Sequence, residues 1–234
     1  MDKIRVAICV PSAGYCPIFF AQSLAETMMC AQVLRSRSEA TGFDMKIFIR
    51  QSSNIPNNRE ALVDMAMEWG CTHVLFIDDD MVFNPNLMEM LLSRRLPYVA
   101  CNYPKRQTPC EFTATRADHT GEMVTDKNSV AMEEAWYTGF GFCMIERQVF
   151  EAVPKPWFLP YFDPQQQQIS TEDNPFCEKV RAAGFKVLVD HTASRLLGHF
   201  GHHIYTWKEF NSANIIPEDE AFPHRFSVVE NKVA

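Results

Sequence analysis

The chain has no apolar run near the ~20 residues that a membrane helix needs, so no membrane span is expected. Its N-terminal MDKIRVAICVPS holds only a short apolar stretch, which reads as a strand and not as a signal peptide. It has eight cysteines but no CxxC pair, which argues against a zinc site and suits reduced core thiols in a cytosolic compartment. It has no basic run, and its formal net charge is −7; that counts against holding nucleic acid by phosphate neutralisation alone. After the first apolar stretch, PSAGYCP stands where a glycine-rich, lysine-bearing phosphate loop would be. Neither an internal repeat nor a linker separates two domains.

What is present is a globular composition, 47% hydrophobic and 22% charged over 234 residues, enough for one α/β domain with a sizeable core. Apolar β-rich runs at 3–12, 43–51, 72–80 and 98–106 alternate with helical spacing at 17–37, 52–70 and 84–95. Asn57 or Asn58 is the expected cap of the second helix and Gly70 its stop. This alternation predicts a mostly parallel, Rossmann-like sheet with helices on both faces. Such sheets bind ligands at the carboxyl ends of their strands. Pro11-Ser12, three aspartates and Lys105-Arg106 all fall at such ends.

The second half is less regular. Residues 107–135 are polar with hairpin-like pieces, and 135–153 reads as a strand running into a helix. An aromatic stretch at 156–162 leads to a glutamine-rich segment, a candidate lid. TEDNPFC opens a helix running to Gly184, followed by the strand KVLVD. One domain is expected over 1–216, with residues 217–234 a C-terminal arm.

VLFIDDDMVFNP carries the most chemistry. Asp78, Asp79 and Asp80 repel one another, and buried carboxylates are costly unless paired or metal-bound. A D-x-D spacing at a strand end can hold a divalent cation through oxygen, and such a cation suits a nucleotide diphosphate. The alternative is a solvated turn that caps the next helix.

Five segments in order, NNREALV, FIDDDMVFNP, YTGFGFCMIER, TEDNPFC and LGHFG, resemble the GT-A-fold glycosyltransferases, in the family 2-like group that includes small phage and viral members. The resemblance spans roughly residues 4 to 203. It implies a metal-dependent transfer of a sugar from a nucleotide-diphosphate sugar, a UDP-sugar foremost, to an acceptor hydroxyl with inversion. Asp80 and His199 are implied metal ligands, with His202 or His203 as alternatives to His199. Asp78 is implied at the metal's water shell or the ribose, and Asp79 near the sugar. Pro11, Ser12 and Gly14 are implied around the nucleoside, and Arg59 near the diphosphate or base. Asp173 is the implied general base, supported by Glu172. A histidine ligand leans the metal towards Mn2+ over Mg2+.

Other candidates come from the residues themselves. Lys105 and Arg106 are candidates for phosphate contact, with a solvated strand end as the alternative, and Arg59 has the alternative of a solvated residue near Asp64. Gly139 and Phe140 in TGFGF, with Trp157, are candidates for sugar or acceptor contact, because glycine admits close approach and aromatics stack on sugars. The acceptor is left open between a saccharide and a hydroxymethylated pyrimidine in DNA, for which Lys105, Arg106, Arg116 and Arg195 would have to share a face. Two other classes stay open: a nucleotidyltransferase-like enzyme and a non-catalytic nucleotide-sugar-binding module. The oligomeric state is left open, and a cytoplasmic location is expected.

Overall fold

A computed structural model of the chain describes residues 3–37, 42–107, 109–164 and 167–208. The arm expected from residue 217, and Gln165 and Gln166 of the glutamine-rich segment, lie outside these residues.

β1 (Ile4–Ser12) leads through α1 (Ile18–Arg37) to β2 (Phe43–Gln51), and α2 (Ile55–Trp69) leads to β3 (His73–Ile77). β4 (Met81–Phe83), α3 (Leu87–Ser93) and β5 (Tyr98–Ala100) follow. Then come β6 (Thr115–Arg116), β7 (Met132–Tyr137), β8 (Phe142–Glu146) and α4 (Arg147–Ala152). A small hairpin, β9 (Phe162–Asp163) and β10 (Gln168–Ile169), precedes α5 (Asp173–Ala182), β11 (Leu188–Asp190), α6 (His191–Ser194), β12 (Leu197–Phe200) and β13 (Ile204–Thr206).

The main sheet has eight strands in the order β2-β1-β3-β8-β5-β11-β7-β6. β1 is parallel to β2 and β3, and β5 is parallel to β11, while β8 and β7 run against their neighbours. Following those pairings, only β8 and β7 oppose the common direction. This is a mostly parallel α/β sheet, as expected, accompanied by a smaller antiparallel sheet, β13-β12-β4.

Alternation along the strands explains why the first and third read as unbroken apolar runs. Ala7, Cys9, Val74 and Phe76 join a core under α2, α4 and α5. Val6, Ile8, Val10, Leu75 and Ile77 join the core on the other face, under α1 and α3. Both faces of the strands are therefore covered, as central strands of such sheets require.

Several boundaries differ from expectation. The cap of α2 is Asn54, whose side chain accepts from Asn57 N–H, so the helix starts earlier than either Asn57 or Asn58 would allow. Pro56 suits its first turn, and Gly70 ends it with φ 78°. The third strand stops at Ile77, which puts all three aspartates in the turn after it. The fourth stops at Ala100, so Lys105 and Arg106 lie on a loop and not at a strand end. Among the cysteines, Cys9, Cys71, Cys101, Cys143 and Cys177 are core thiols, but Cys16 is exposed and Cys30 and Cys110 are half-buried. No helix among the described residues is long and apolar enough to cross a membrane.

Candidate functional site

The site is built around the turn after β3. Two neighbours fix that turn. On one side Asp78 N–H donates to the Gly141 carbonyl at 3.0 Å, just before β8 pairs with β3. On the other, β4 pairs with β12, setting His199 opposite Met81, and Phe200 N–H donates to the Asp80 carbonyl at 2.8 Å. A strand from late in the chain is thus laid against the aspartate turn, and it brings an imidazole with it.

Asp80 and His199 meet. His199 Nε2 lies 3.3 Å from Asp80 Oδ2, and His199 Nδ1 lies 3.0 Å from the Pro104 carbonyl. A carbonyl only accepts, so Nδ1 carries a proton and donates it to Pro104, which leaves Nε2 as the ring nitrogen that faces the carboxylate. Arg106 Nη1 reaches the same Oδ2 at 2.8 Å. Burial alone would raise the Asp80 pKa, but His199 and Arg106 outweigh it and hold the carboxyl below its ordinary value. Asp80 Oδ1 and Asp79 Oδ2 are buried with no hydrogen-bond partner. A buried carboxylate oxygen left so is costly.

Asp78 does not join them. Its Oδ1 accepts from Arg59 Nη2 at 2.8 Å. The Nε of the same guanidinium donates to Glu172 Oε1 at 3.0 Å. Arg59 is buried on α2, over the rings of Phe76 and Phe140 at 5.3 and 5.2 Å. Two carboxylates offset its charge, which explains why burial is tolerated. Asp64, the alternative partner, is instead paired with Lys155. Among the described residues no group of three or more His, Cys, Asp and Glu side chains is placed to hold a metal ion. Asp80 and His199 are brought together, while Asp78, expected at the metal's water shell or the ribose, is paired with Arg59.

Asp79 turns towards β1. It is hydrogen-bonded by Ser12, and burial raises its pKa against that bond. Ser12 Oγ also accepts from Gly14 N–H at 3.0 Å. Gly14 has φ 116°, and a side chain there would strike Gln51. These residues line a cleft of about 230 Å³ with Tyr15, Phe20 and Ile49. Pro11 stays in β1, buried and in register with Arg50.

Glu172 and Asp173 sit where α5 begins, and Glu172, at the cap position, makes no capping hydrogen bond with its side chain. Asp173 Oδ1 accepts from Asn174 N–H at 2.9 Å and from the Thr171 hydroxyl. Burial, with Glu172 beside it, pushes the Asp173 pKa up to about 6. Arg59 ties this helix start to the aspartate turn.

Three aromatic or glycine candidates take other parts. Trp157 is 4% exposed, and its indole N–H donates to the Val153 carbonyl at 2.9 Å. Phe140 is packed edge-on between Phe158 and Phe176. Both are core, because their rings complete the packing under α4 and α5 and leave no face for a sugar. Gly139 does admit a close approach, but what approaches is Tyr103: a Cβ at Gly139 would stand 2.4 Å from its hydroxyl, and one at Gly141 2.5 Å from its ring. Tyr103 accepts from Gly141 N–H at 2.9 Å and lies edge-on to His199. Burial, with Asp78 and Asp173 nearby, keeps its phenol protonated. Sequence reasoning missed this residue. The paired glycines announce a neighbour without naming it.

Lys105 is bound to Glu111 at 2.9 Å; its neighbour Arg106 is the one that reaches the aspartates. Arg116 is paired with Glu133, and Arg195 donates to the Asp126 carbonyl. His203 lies against Tyr205, and it is His199 that faces Asp80.

No family model matches the chain, and neither does any curated protein. Among solved structures, A197 from STIV is similar with a TM-score of 0.56 at 18% identity, covering 85% of this chain and 86% of that one. The catalytic domain of Drosophila β1,4-galactosyltransferase 7, complexed with xylobiose, gives a TM-score of 0.47 at 13% identity, covering 93% and 78%. A UDP-glucose pyrophosphorylase complexed with UDP-glucose gives 0.45 at 9% identity, covering 80% and 90%. The first likeness shows a shared fold; the other two are too distant to carry an argument about this chain.

Proposed function

We propose that the chain is a glycosyltransferase that uses a divalent cation to move a sugar from a nucleotide-diphosphate sugar, a UDP-sugar foremost, to an acceptor hydroxyl. The observation that carries this reading is the meeting of Asp80 and His199, with Arg59 joining the aspartate turn to the start of α5, where Asp173 lies.

A cation fits the donors present. Asp80 Oδ1 is a buried oxygen without a partner, and His199 Nε2 lies 3.3 Å from the other oxygen, Oδ2. Two protein ligands are few for a closed site but suit one that substrate phosphates and water complete. Imidazole beside carboxylate favours Mn2+ over Mg2+. Bound there, such an ion would neutralise the charge that builds on the departing diphosphate.

The chain's own groups do the rest. The cleft at Ser12, Gly14 and Tyr15 would take the nucleoside, with Asp79 at its inner end. Asp173 would accept the acceptor's proton as its oxygen attacks the anomeric carbon, while the bond to the β-phosphate oxygen breaks and its electron pair leaves with the diphosphate. A carboxylate with a pKa near 6 is a better base than an ordinary aspartate and is still ionised at neutral pH. Glu172, held by Arg59, would position the start of α5. Inversion is what the resemblance implies, and attack assisted by Asp173 from the face opposite the diphosphate would give it. A saccharide is the favoured acceptor over a hydroxymethylated pyrimidine in DNA, because Arg116, Arg195 and Lys105 are each engaged elsewhere and the net charge is −7.

The test is a panel of nucleotide sugars with purified protein and Mn2+, following release of nucleoside diphosphate, with Asp80→Ala as control. Release from one donor, lost in the variant, is expected. Pyrophosphate as the product would instead mean a nucleotidyltransferase. Donor binding with no turnover under any acceptor would mean a binding module.

A further inference from the structure

We infer that Arg106 is a built-in counter-cation for the metal site, which leaves Asp80 when a divalent cation binds and then serves the diphosphate. The inference rests on the cation site proposed at Asp80 and His199.

The geometry of one oxygen carries it. Asp80 Oδ2 receives Arg106 Nη1 at 2.8 Å and faces His199 Nε2 at 3.3 Å. The guanidinium thus holds the atom on which a metal ligand and its partner converge. Arg106 supplies positive charge at that oxygen. It comes from the loop whose Pro104 carbonyl fixes the His199 ring, so the loop orients one ligand and covers the other.

The chain makes room for this arm. Arg106 crosses Gly201, where a Cβ would come within 3.1 Å of its Cδ and 3.3 Å of its Cγ. The side chain is half-exposed, 50%, against 22% for Asp80. An ion pair so open to water is weak and breaks readily. Arg59 makes the contrast: it is buried, held by two carboxylates, and cannot leave. A long side chain at the rim, released from Asp80, can pair bidentately with a phosphate. Metal and diphosphate would then favour each other's binding, since each removes the other's cost. A guanidinium in place nine-tenths of the time lowers the apparent metal affinity about tenfold.

Mn2+ binding alone, read by the free-ion EPR signal, tests this without turnover. Wild type, Arg106→Gln, Arg106→Lys and Asp80→Asn are titrated with and without UDP. Arg106→Gln is expected to bind Mn2+ about tenfold more tightly than wild type when no nucleotide is present, and to lose most of the tightening that UDP brings. Arg106→Lys, which keeps the charge, should stay near wild type with Mn2+ alone and lose part of the tightening by UDP, because an ammonium lacks the bidentate fork. Asp80→Asn should bind poorly in every case. Unchanged or weaker Mn2+ binding in Arg106→Gln, with Asp80→Asn still defective, overturns the role of Arg106 and leaves the cation site standing. Undiminished binding in Asp80→Asn overturns both.

Discussion

Arg59 and Glu172 are 113 residues apart in the sequence and 3.0 Å apart in space, and the guanidinium that reaches Glu172 also reaches Asp78 at 2.8 Å. One buried cation therefore fastens the aspartate turn to the start of α5. The two halves of the proposed reaction, leaving-group side and acceptor side, are held in register by a residue that need not touch either substrate.

Removing that cation should cost stability before it costs chemistry. Arg59→Ala leaves two carboxylates facing each other in a part-buried place, and breaking such a pair costs about 3–5 kcal/mol. Urea unfolding should show a midpoint shift of that size, and Arg59→Lys should recover only part of it, because one ammonium cannot span both carboxylates in the fork geometry. A midpoint unchanged by Arg59→Ala would mean that the network is not holding the fold.

Asp173 sets a pH dependence. Its carboxyl must be ionised to accept a proton, and its folded pKa is about 6, so kcat/KM should rise with pH along an acid limb centred there. Asp173→Asn should lower kcat by about 10²–10⁴-fold while donor binding is kept. Stability moves the other way. The unfolded chain titrates this group near 3.8 and the folded chain near 6, so the fold holds the extra proton between those values. Its contribution is favourable below 3.8 and is lost as pH rises through 6. Asp173→Asn should therefore be the more stable protein at pH 8, measured by thermal melting.

Gly141→Ala should drive a methyl into the Tyr103 ring and its hydroxyl, both under 3 Å from the new Cβ. Overpacking of this kind costs about 1–3 kcal/mol. In a double-mutant cycle with Tyr103→Ala, much of that penalty should vanish, since the obstacle is gone. Additive losses would show that Tyr103 is not what the glycine accommodates.

Trp157→Phe separates core from site. The change removes the N–H that donates to the Val153 carbonyl and leaves the ring packing largely in place. A loss of about 1 kcal/mol is expected from the missing hydrogen bond, with KM for donor and acceptor unchanged. A marked rise in either KM would return Trp157 to the binding surface.

Local signals were legible and long-range ones were not. β1, β2 and β3 and the helices between them follow from apolar runs, spacing and Gly70, because each depends on neighbours in sequence. The insertion of β8 between β3 and β5, and the pairing of β4 with β12, depend on contacts across the chain, which periodicity does not encode. The same limit governs the site. Asp80 and His199 were readable as ligand types and the fold brings them together, whereas Asp78 looks identical in sequence and is claimed by Arg59 on another helix. Phe140 and Trp157 were ambiguous because a stacking ring and a core ring are the same residue. Tyr103 gave no signal of its own, and only Gly139 and Gly141 hinted at it.

The β4–β12 pairing also sets an order of events on the ribosome. The three aspartates are synthesised long before Leu197–Phe200, and until that late strand emerges nothing lays His199 against the turn. A nascent chain can thus assemble its parallel strands while its acidic turn still lacks the imidazole. The cation site proposed at Asp80 and His199 is therefore completed only once Leu197–Phe200 has emerged and paired, and a chain that ends before it lacks His199 altogether.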